Sequence, residues 1–140
     1  MTRRPDGDIL VSLAKLLVVD DEPALALLVA ECLKTGGHEA LVCHDPSLAL
    51  ALALKEKPAL AIIDYQMPGK TGVQLLGDLR GREETRLMPV LFLSGTETVR
   101  YAGQVPPEPR VRFLRKPVER LVLLASVAEM LDPESWTHTS

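Results

Sequence analysis

The sequence predicts an α/β fold, a doubly wound sheet of five parallel strands with helices on both faces. Short apolar runs alternate with longer helical patterns along the 140 residues, and this alternation is typical of β/α units built on a parallel sheet. One run, residues 59–63 between Pro58 and Pro68-Gly69, is apolar throughout, as in a strand buried on both faces. Polar residues follow the runs, at the sheet edge where parallel sheets place their binding crevices.

The first strand and helix are predicted from residues 16–34. The apolar residues 16–19 form the strand, and Pro23 then opens a helix over 24–34, because a proline costs nothing in the first helical turn. Gly36-Gly37 ends that helix. The helical spacing predicts a single buried face, made of Leu25, Leu28, Val29 and Leu33.

The second and third units repeat this order. Residues 39–43 are predicted as a strand and residues 48–57 as a helix, since the leucines and alanines there favour helix. The buried run 59–63 follows and carries Asp64 at its end, and a third helix is predicted over 73–80. The crossovers between these strands are expected to be right-handed.

The last part of the pattern is less regular. Residues 89–93 are predicted as the fourth strand, 111–114 as the fifth, and 118–131 as a final amphipathic helix. Residues 97–104 have room for a short helix, but a group of prolines closes it: Pro106, Pro107 and Pro109. The fourth helix is therefore expected to be short or irregular.

One domain over residues 15–131 is expected, with a flexible N-terminal arm over 1–14 and a C-terminal tail over 132–140. A net charge of −3 gives no general attraction to nucleic acid or to an anionic membrane. No apolar stretch reaches the roughly 18 residues of a membrane-spanning helix. Cys32 and Cys43 lack the spacing of a metal or disulfide framework. These features predict a cytoplasmic protein with reduced thiols.

Polar side chains follow the predicted strands in a set that carries chemistry: Asp20, Asp21, Asp64, Ser94 and Lys116. Because parallel strands end at the same edge of the sheet, we expect these groups to share one crevice. Clustered carboxylates repel each other, and a hard divalent cation relieves that repulsion. Mg²⁺ prefers oxygen ligands of this kind. The pattern therefore predicts Mg²⁺ as cofactor and Asp64 as a carboxylate nucleophile toward phosphorus.

Four motifs in the same order and at matching separations resemble the receiver domain of two-component response regulators. They are residues 18–22 (Val-Val-Asp-Asp-Glu), 63–72 (Ile-Asp-Tyr-Gln-Met-Pro-Gly-Lys-Thr-Gly), 93–95 (Leu-Ser-Gly) and 113–117 (Phe-Leu-Arg-Lys-Pro). The resemblance covers nearly the whole chain. It implies a flavodoxin-like fold with strand order 2-1-3-4-5 and a role in bacterial phosphorelay signalling.

The resemblance also implies roles for the residues around the acids. Asp64 matches the phosphoacceptor, and Asp21 matches the acid that binds Mg²⁺ directly. Asp20 matches the acid that acts through a metal-bound water. The backbone carbonyl of Gln66 matches a further metal ligand.

Three more residues match the parts that sense and hold the phosphoryl group. Ser94 matches the switch hydroxyl, and Lys116 matches the phosphate-contacting lysine, with the Lys116-Pro117 bond implied to be cis. Phe113 matches the switch aromatic, although an aromatic on a sheet face is also compatible with plain core packing. Tyr65 either flanks the site or covers the sheet edge.

The resemblance implies phosphorylation on Asp64 by a histidine kinase or histidine phosphotransfer protein, and no enzymatic turnover beyond self-catalysed phosphotransfer and autodephosphorylation. Output then passes to a downstream protein or an output domain, and a homodimer is compatible with this. A receiver-shaped binding module acting without phosphorylation is the alternative. A phosphohydrolase is disfavoured, because Gln66 stands where one large class of those enzymes carries a second aspartate.

Overall fold

A computed structural model describes residues 2–3, 9–10, 13–95 and 110–132 of the chain. Its centre is a parallel sheet of five strands in the order β2-β1-β3-β4-β5, which confirms the predicted order 2-1-3-4-5. The strands are β1 (Lys15–Val19), β2 (Glu39–Cys43), β3 (Leu60–Asp64), β4 (Val90–Ser94) and β5 (Val111–Arg115). The two strands whose ends carry acids, β1 and β3, are therefore neighbours at the centre of the sheet.

Helices cover both faces of the sheet, so the fold is doubly wound as predicted. They are α1 (Pro23–Thr35), α2 (Ala49–Glu56), α3 (Gly72–Arg80) and α4 (Arg120–Leu131). α1 and α4 contribute to one hydrophobic cluster, and α2 and α3 contribute to the other. The crossovers therefore place the strand ends along one open edge.

β3 is buried on both faces, as its continuous apolar sequence predicts. Leu60 and Ile62 point into the cluster beneath α1 and α4, while Ala61 and Ile63 point into the opposite cluster. All four side chains are at most 1% exposed. A strand packed this tightly fixes the position of the residue at its end, which is Asp64.

The buried face of α1 differs from the predicted one. Val29 and Leu33 are buried, but Leu28 is 59% exposed and Leu25 is only partly buried. Ala26 and Ala30 take the inner positions instead. The helix is apolar almost all round, so its sequence does not distinguish two adjacent stripes, and the small alanines let the helix lie close to the sheet. The prediction for Leu28 was wrong, and this leucine lies on the outer surface.

Several element ends differ by one or two residues from the predicted ones. The second helix is preceded by a 3₁₀ turn, Pro46–Leu48, in which Asp45 Oδ1 accepts a hydrogen bond from the Ser47 amide at 2.9 Å. α4 begins at Arg120 rather than at 118. The helix expected over 97–104 lies outside the described residues.

The N-terminal arm contains a short antiparallel pair, in which Thr2–Arg3 lies against Ile9–Leu10. The flexibility of the arm and the exact domain limits stay predictions. In the part of the chain that the structure covers, no helix combines the length and apolar character needed to cross a bilayer.

Candidate functional site

Three carboxylates converge where β1 and β3 end. β1 pairs with β3 through Val19 and Ile63, so Asp20 and Asp64 emerge side by side. Carboxylate oxygens of Asp20, Asp21 and Asp64 all lie within 4.8 Å of one another. Asp20 is 3% exposed and Asp64 is 7% exposed, whereas Asp21 is partly exposed. The predicted crevice is present, and it opens to solvent on the side of Asp21.

Backbone hydrogen bonds fix the orientation of Asp20. Its amide donates to the Cys43 carbonyl at 3.1 Å, which extends the ladder between β1 and β2 by one residue. Its Oδ1 accepts a hydrogen bond from the Glu22 amide at 2.9 Å. The acid is therefore held by the turn that leads into α1 and does not depend on solvent for its position.

One oxygen of Asp64 receives two donors from different parts of the chain. The Lys116 ammonium lies 3.2 Å from Oδ1, and the Gln66 amide donates to the same atom at 3.3 Å. The Lys116 amide also donates to the Ser94 carbonyl at 2.7 Å. The Lys116-Pro117 peptide bond is cis, as the resemblance implied. Lys116 thus reaches the site while its own backbone is tied to the end of β4.

Burial raises the pKa of Asp64 above its ordinary value of 3.8, against the opposing effect of the Lys116 charge. Asp20 raises it further by repulsion. Burial likewise raises the pKa of Asp20, opposed by the Glu22 amide and Lys116. Burial thus disfavours the charged form of both acids more than Lys116 and the backbone amides favour it. Three oxygen donors within reach of one another fit a hard divalent cation such as Mg²⁺.

The loop between β3 and α3 is closed by hydrogen bonds. The Gly72 amide donates to the Tyr65 carbonyl at 3.0 Å. Thr71 and Gln74 form a reciprocal capping box at the start of α3, and the Lys70 ammonium pairs with the Asp78 carboxylate on α3. The loop that carries Gln66 past Asp64 is therefore anchored at its far end.

The remaining predicted residues lie near the acids without joining them. Ser94 is 2% exposed and ends β4, the strand beside β3. Phe113 lies on β5 opposite Phe92, and its ring is partly buried. The structure thus brings Asp20, Asp21, Asp64 and Lys116 together, and it places Ser94 and Phe113 on the two adjoining strands.

An apolar groove of about 410 Å³ adjoins the site. It runs between α1 and the start of α4, and Asp20 and Lys116 lie among its lining residues. The apolar lining is Leu25, Leu28, Val29, Cys32, Leu93, Pro117, Val118 and Leu123. The exposed Leu28 is one of these lining residues, and the groove gives the crevice an apolar border.

Two features of the site could not be read from the sequence. The Lys70–Asp78 ion pair joins a loop to a helix eight residues later, a separation that matches no helical or strand spacing. The Tyr65 ring contacts the rings of Phe92 and Phe113, and these contacts depend on the order of β3, β4 and β5. The one available signal was that Tyr65 directly follows Asp64 and is aromatic.

Residues 16–128 match the response regulator receiver domain family. Protein PilH of Pseudomonas aeruginosa is 31% identical over 121 residues, which cover 85% of this chain and 98% of PilH. Response regulator protein FleR of the same species is 36% identical over 115 residues, which cover 82% of this chain but 24% of FleR. The chain thus spans nearly all of one relative and about a quarter of the other.

Solved structures of receivers share the fold. CheY4, a chemotaxis response regulator of Vibrio cholerae, superposes with a TM-score of 0.74 at 27% identity, covering 85% of this chain and 99% of CheY4. A response regulator receiver domain protein from Clostridium thermocellum gives a TM-score of 0.80 at 25% identity, covering 89% of this chain and 99% of that protein. With the family match over most of its length, the chain belongs to the response regulator receiver domain family of two-component signal transduction.

Proposed function

We propose that Asp64 is the phosphoacceptor of this receiver and takes a phosphoryl group from a phosphohistidine of a kinase or phosphotransfer protein. One observation carries the proposal. The Asp64 carboxylate lies within 4.8 Å of two other carboxylates and 3.2 Å from the Lys116 ammonium. Burying carboxylates this close together costs folding free energy, and an acid that only caps a strand end does not require it.

The oxygen donors that fit Mg²⁺ belong to Asp20, Asp21 and Asp64, with the backbone carbonyl of Gln66 as a fourth in this proposal. Asp21 would hold the ion directly, and Asp20 would act on it through a water. When bound, Mg²⁺ supplies positive charge that offsets the carboxylates and the phosphoryl oxygens.

The transfer step uses the asymmetry of the Asp64 carboxylate. Lys116 and the Gln66 amide occupy Oδ1, so Oδ2 is the oxygen that attacks phosphorus. A P–O bond forms as the P–N bond of the donor phosphohistidine breaks. The electron pair of that bond stays on the imidazole nitrogen, and the product on Asp64 is an acyl phosphate.

Lys116 and Ser94 then stabilise the phosphoryl group. The Lys116 ammonium is placed to neutralise a phosphoryl oxygen next to the bond that has formed. The Ser94 hydroxyl donates a hydrogen bond to a second phosphoryl oxygen. Phe113 then changes position in response to the movement of Ser94. In this proposal the signalling takes place in the cytoplasm. Chemistry at the chain's own residues is thus limited to accepting, holding and losing one phosphoryl group.

The surface beside the site supports a protein as the donor. Leu27 and Leu28 of α1 are 57% and 59% exposed, and the apolar groove reaches from Leu28 to Lys116. An apolar border of this kind suits a helix of a kinase or phosphotransfer protein better than a small charged molecule. Output passes to a downstream protein or to an output domain carried elsewhere.

The proposal is tested with a small phosphodonor, acetyl phosphate, in parallel reactions with Mg²⁺ and with a chelator. We expect Mg²⁺-dependent incorporation of one phosphoryl group into the wild-type chain and none into Asp64→Asn, in which the amide is a poor nucleophile. Glu83→Gln, which changes an exposed acid beyond the C-terminal end of α3, is the matched control and should be phosphorylated. Equal incorporation into Asp64→Asn and the wild type would refute the assignment. A downstream partner that bound wild type and Asp64→Ala equally would point to a phosphorylation-independent binding module.

A further inference from the structure

Three aromatic rings form a closed cluster directly beneath the site. The ring centroids of Tyr65 and Phe92 are 5.2 Å apart, those of Tyr65 and Phe113 are 5.4 Å apart, and those of Phe92 and Phe113 are 5.2 Å apart. Each separation lies in the range of favourable aromatic contacts. One ring of the cluster, Tyr65, is a single peptide bond away from Asp64.

Hydrogen bonds hold the backbone of Tyr65 on both sides, so a movement of Asp64 is passed on to Tyr65. Its amide donates to the Leu93 carbonyl at 2.9 Å, and its carbonyl accepts from the Gly72 amide at 3.0 Å. A Cβ added at Gly72 would lie 2.8 Å from Phe92 Cε1 and 3.1 Å from Tyr65 Cα. The first turn of α3 is therefore packed against the Phe92 ring and the Tyr65 backbone, with no room for a side chain at Gly72.

Phe113 is the member of the cluster that reaches the surface. Tyr65 is 3% exposed and Phe92 is fully buried, whereas the side chain of Phe113 is partly exposed on the edge strand β5. Packed interiors transmit small displacements because they contain little free volume. Because Phe92 is enclosed, Phe113 is the ring of the cluster with room to respond when Tyr65 moves.

We propose that Tyr65 is a positioning residue that transmits the state of Asp64 to Phe113 through direct ring contact. The inference rests on the proposed phosphoacceptor role of Asp64, and it adds a path by which phosphorylation of Asp64 affects Phe113. Phosphorylation on Oδ2 draws the Lys116 ammonium from Oδ1 of Asp64 toward a phosphoryl oxygen, and it changes the charge on the oxygen that the Gln66 amide contacts. The residue between Asp64 and Gln66 is Tyr65, so its backbone shifts with theirs, and its ring moves against Phe113.

The two phenylalanines of the chain permit a direct test. Fluorophenylalanine incorporation gives one ¹⁹F resonance for Phe92 and one for Phe113, and Phe113→Leu assigns them. Beryllofluoride with Mg²⁺ mimics the phosphoryl group, and its own bound ¹⁹F signal measures occupancy of Asp64. At equal occupancy, we expect a shift of the Phe113 resonance in the wild type and loss of most of that shift in Tyr65→Leu.

Two further variants separate a ring contact from general loosening. Tyr65→Phe keeps the ring and should restore the Phe113 shift, with the added resonance assigned by combining it with Phe113→Leu. Leu76→Val loosens the same hydrophobic cluster from α3 and should leave the shift intact. A full shift in Tyr65→Leu, or an equal loss in Leu76→Val, would overturn the proposal.

Absence of a bound beryllofluoride signal in the wild type would instead contradict the phosphoacceptor role itself, and the inference would fall with it. The two failures are distinguishable. Failure of the Tyr65 proposal is seen with beryllofluoride bound at Asp64, whereas failure of the phosphoacceptor role is seen as the absence of bound beryllofluoride.

Discussion

The Lys116 ammonium lies 3.2 Å from Asp64 Oδ1, although the two residues are 52 positions apart in the chain. The contact joins the loop after β5 to the end of β3 across the intervening strand β4. Burial raises the pKa of Asp64 above its ordinary value, the Lys116 charge opposes this rise, and Asp20 adds to it. The lysine thus favours the charged carboxylate that nucleophilic attack requires.

Removing this cation should slow phosphorylation strongly. In Lys116→Met, the side chain keeps its length, but Asp64 loses its positive neighbour and the phosphoryl oxygens lose a donor. We expect the rate of Mg²⁺-dependent labelling by acetyl phosphate to fall about 100-fold. Lys55→Met, which changes an exposed lysine of α2, should be labelled at the wild-type rate. A labelling rate for Lys116→Met within a few-fold of wild type would argue against a catalytic role for Lys116.

Neutralising one buried acid should stabilise the metal-free protein. Asp20→Asn keeps an oxygen that can accept the Glu22 amide, but it removes a negative charge beside Asp64. We expect the free energy of unfolding without metal to rise by about 1 kcal/mol at pH 7. The variant should also lose the stabilisation that added Mg²⁺ gives the wild type. Urea unfolding with Mg²⁺ or with a chelator measures both effects.

The gain in Asp20→Asn should depend on pH. Asp20 has a raised pKa in the folded protein, so its charged form costs stability at every pH above that value. As the pH falls through the folded pKa toward the ordinary value of 3.8, the folded state takes up the proton first and the cost disappears. The difference between variant and wild type should therefore shrink on acidification, and a gain that grew as the pH was lowered toward 3.8 would contradict this explanation.

His38 should make stability depend on pH near neutrality. The imidazole is 5% exposed, its Nδ1 accepts the Ala14 amide at 3.2 Å, and burial lowers its pKa below 6.5. The neutral form is favoured in the folded state, so stability is fully present above pH 6.5 and is lost as the pH falls through the folded pKa. We expect His38→Gln to flatten the stability curve between pH 7.5 and 5.5, as measured by thermal unfolding. An unchanged slope would assign the pH dependence to other groups.

The capping box at the start of α3 should contribute measurably to the loop beside the site. Thr71 Oγ1 accepts the Gln74 amide at 3.2 Å, and Gln74 Oε1 accepts the Thr71 amide at 2.9 Å. Thr71→Ala should lower the free energy of unfolding by about 1 kcal/mol. Thr71→Ser keeps the acceptor and serves as the control. Equal stability of the alanine and serine variants would show that the cap contributes little.

The sequence predicted the sheet well, because each strand is a short apolar run and the residue after it is polar. Asp64 and Asp20 were found this way, and the crevice between them follows from parallel strand ends. Leu28 was assigned wrongly, because α1 is apolar around most of its circumference. A periodic pattern identifies a helix, but it does not select between two apolar stripes.

The contacts inside the site were less predictable. The Lys70–Asp78 pair and the Tyr65 ring contacts arise from tertiary packing between elements whose relative placement no local spacing encodes. Hydrogen bonds to a single oxygen of Asp64 likewise depend on side-chain positions set by two loops. The residue types and their order in the sequence predict the chemistry of the site. The distances in the folded structure are needed to tell which oxygen of Asp64 accepts hydrogen bonds and which rings Tyr65 contacts.

The central claim, that Asp64 carries the phosphoryl group, is tested most directly by chemical trapping. Borohydride reduces an acyl phosphate to an alcohol, so a phosphorylated aspartate becomes homoserine and is located by mass spectrometry of peptides. After Mg²⁺-dependent labelling with acetyl phosphate, we predict homoserine at position 64 alone, and none when Mg²⁺ is chelated. Homoserine at Asp20 or Asp21, or unreduced Asp64 in a chain that carries a phosphoryl group, would contradict the assignment.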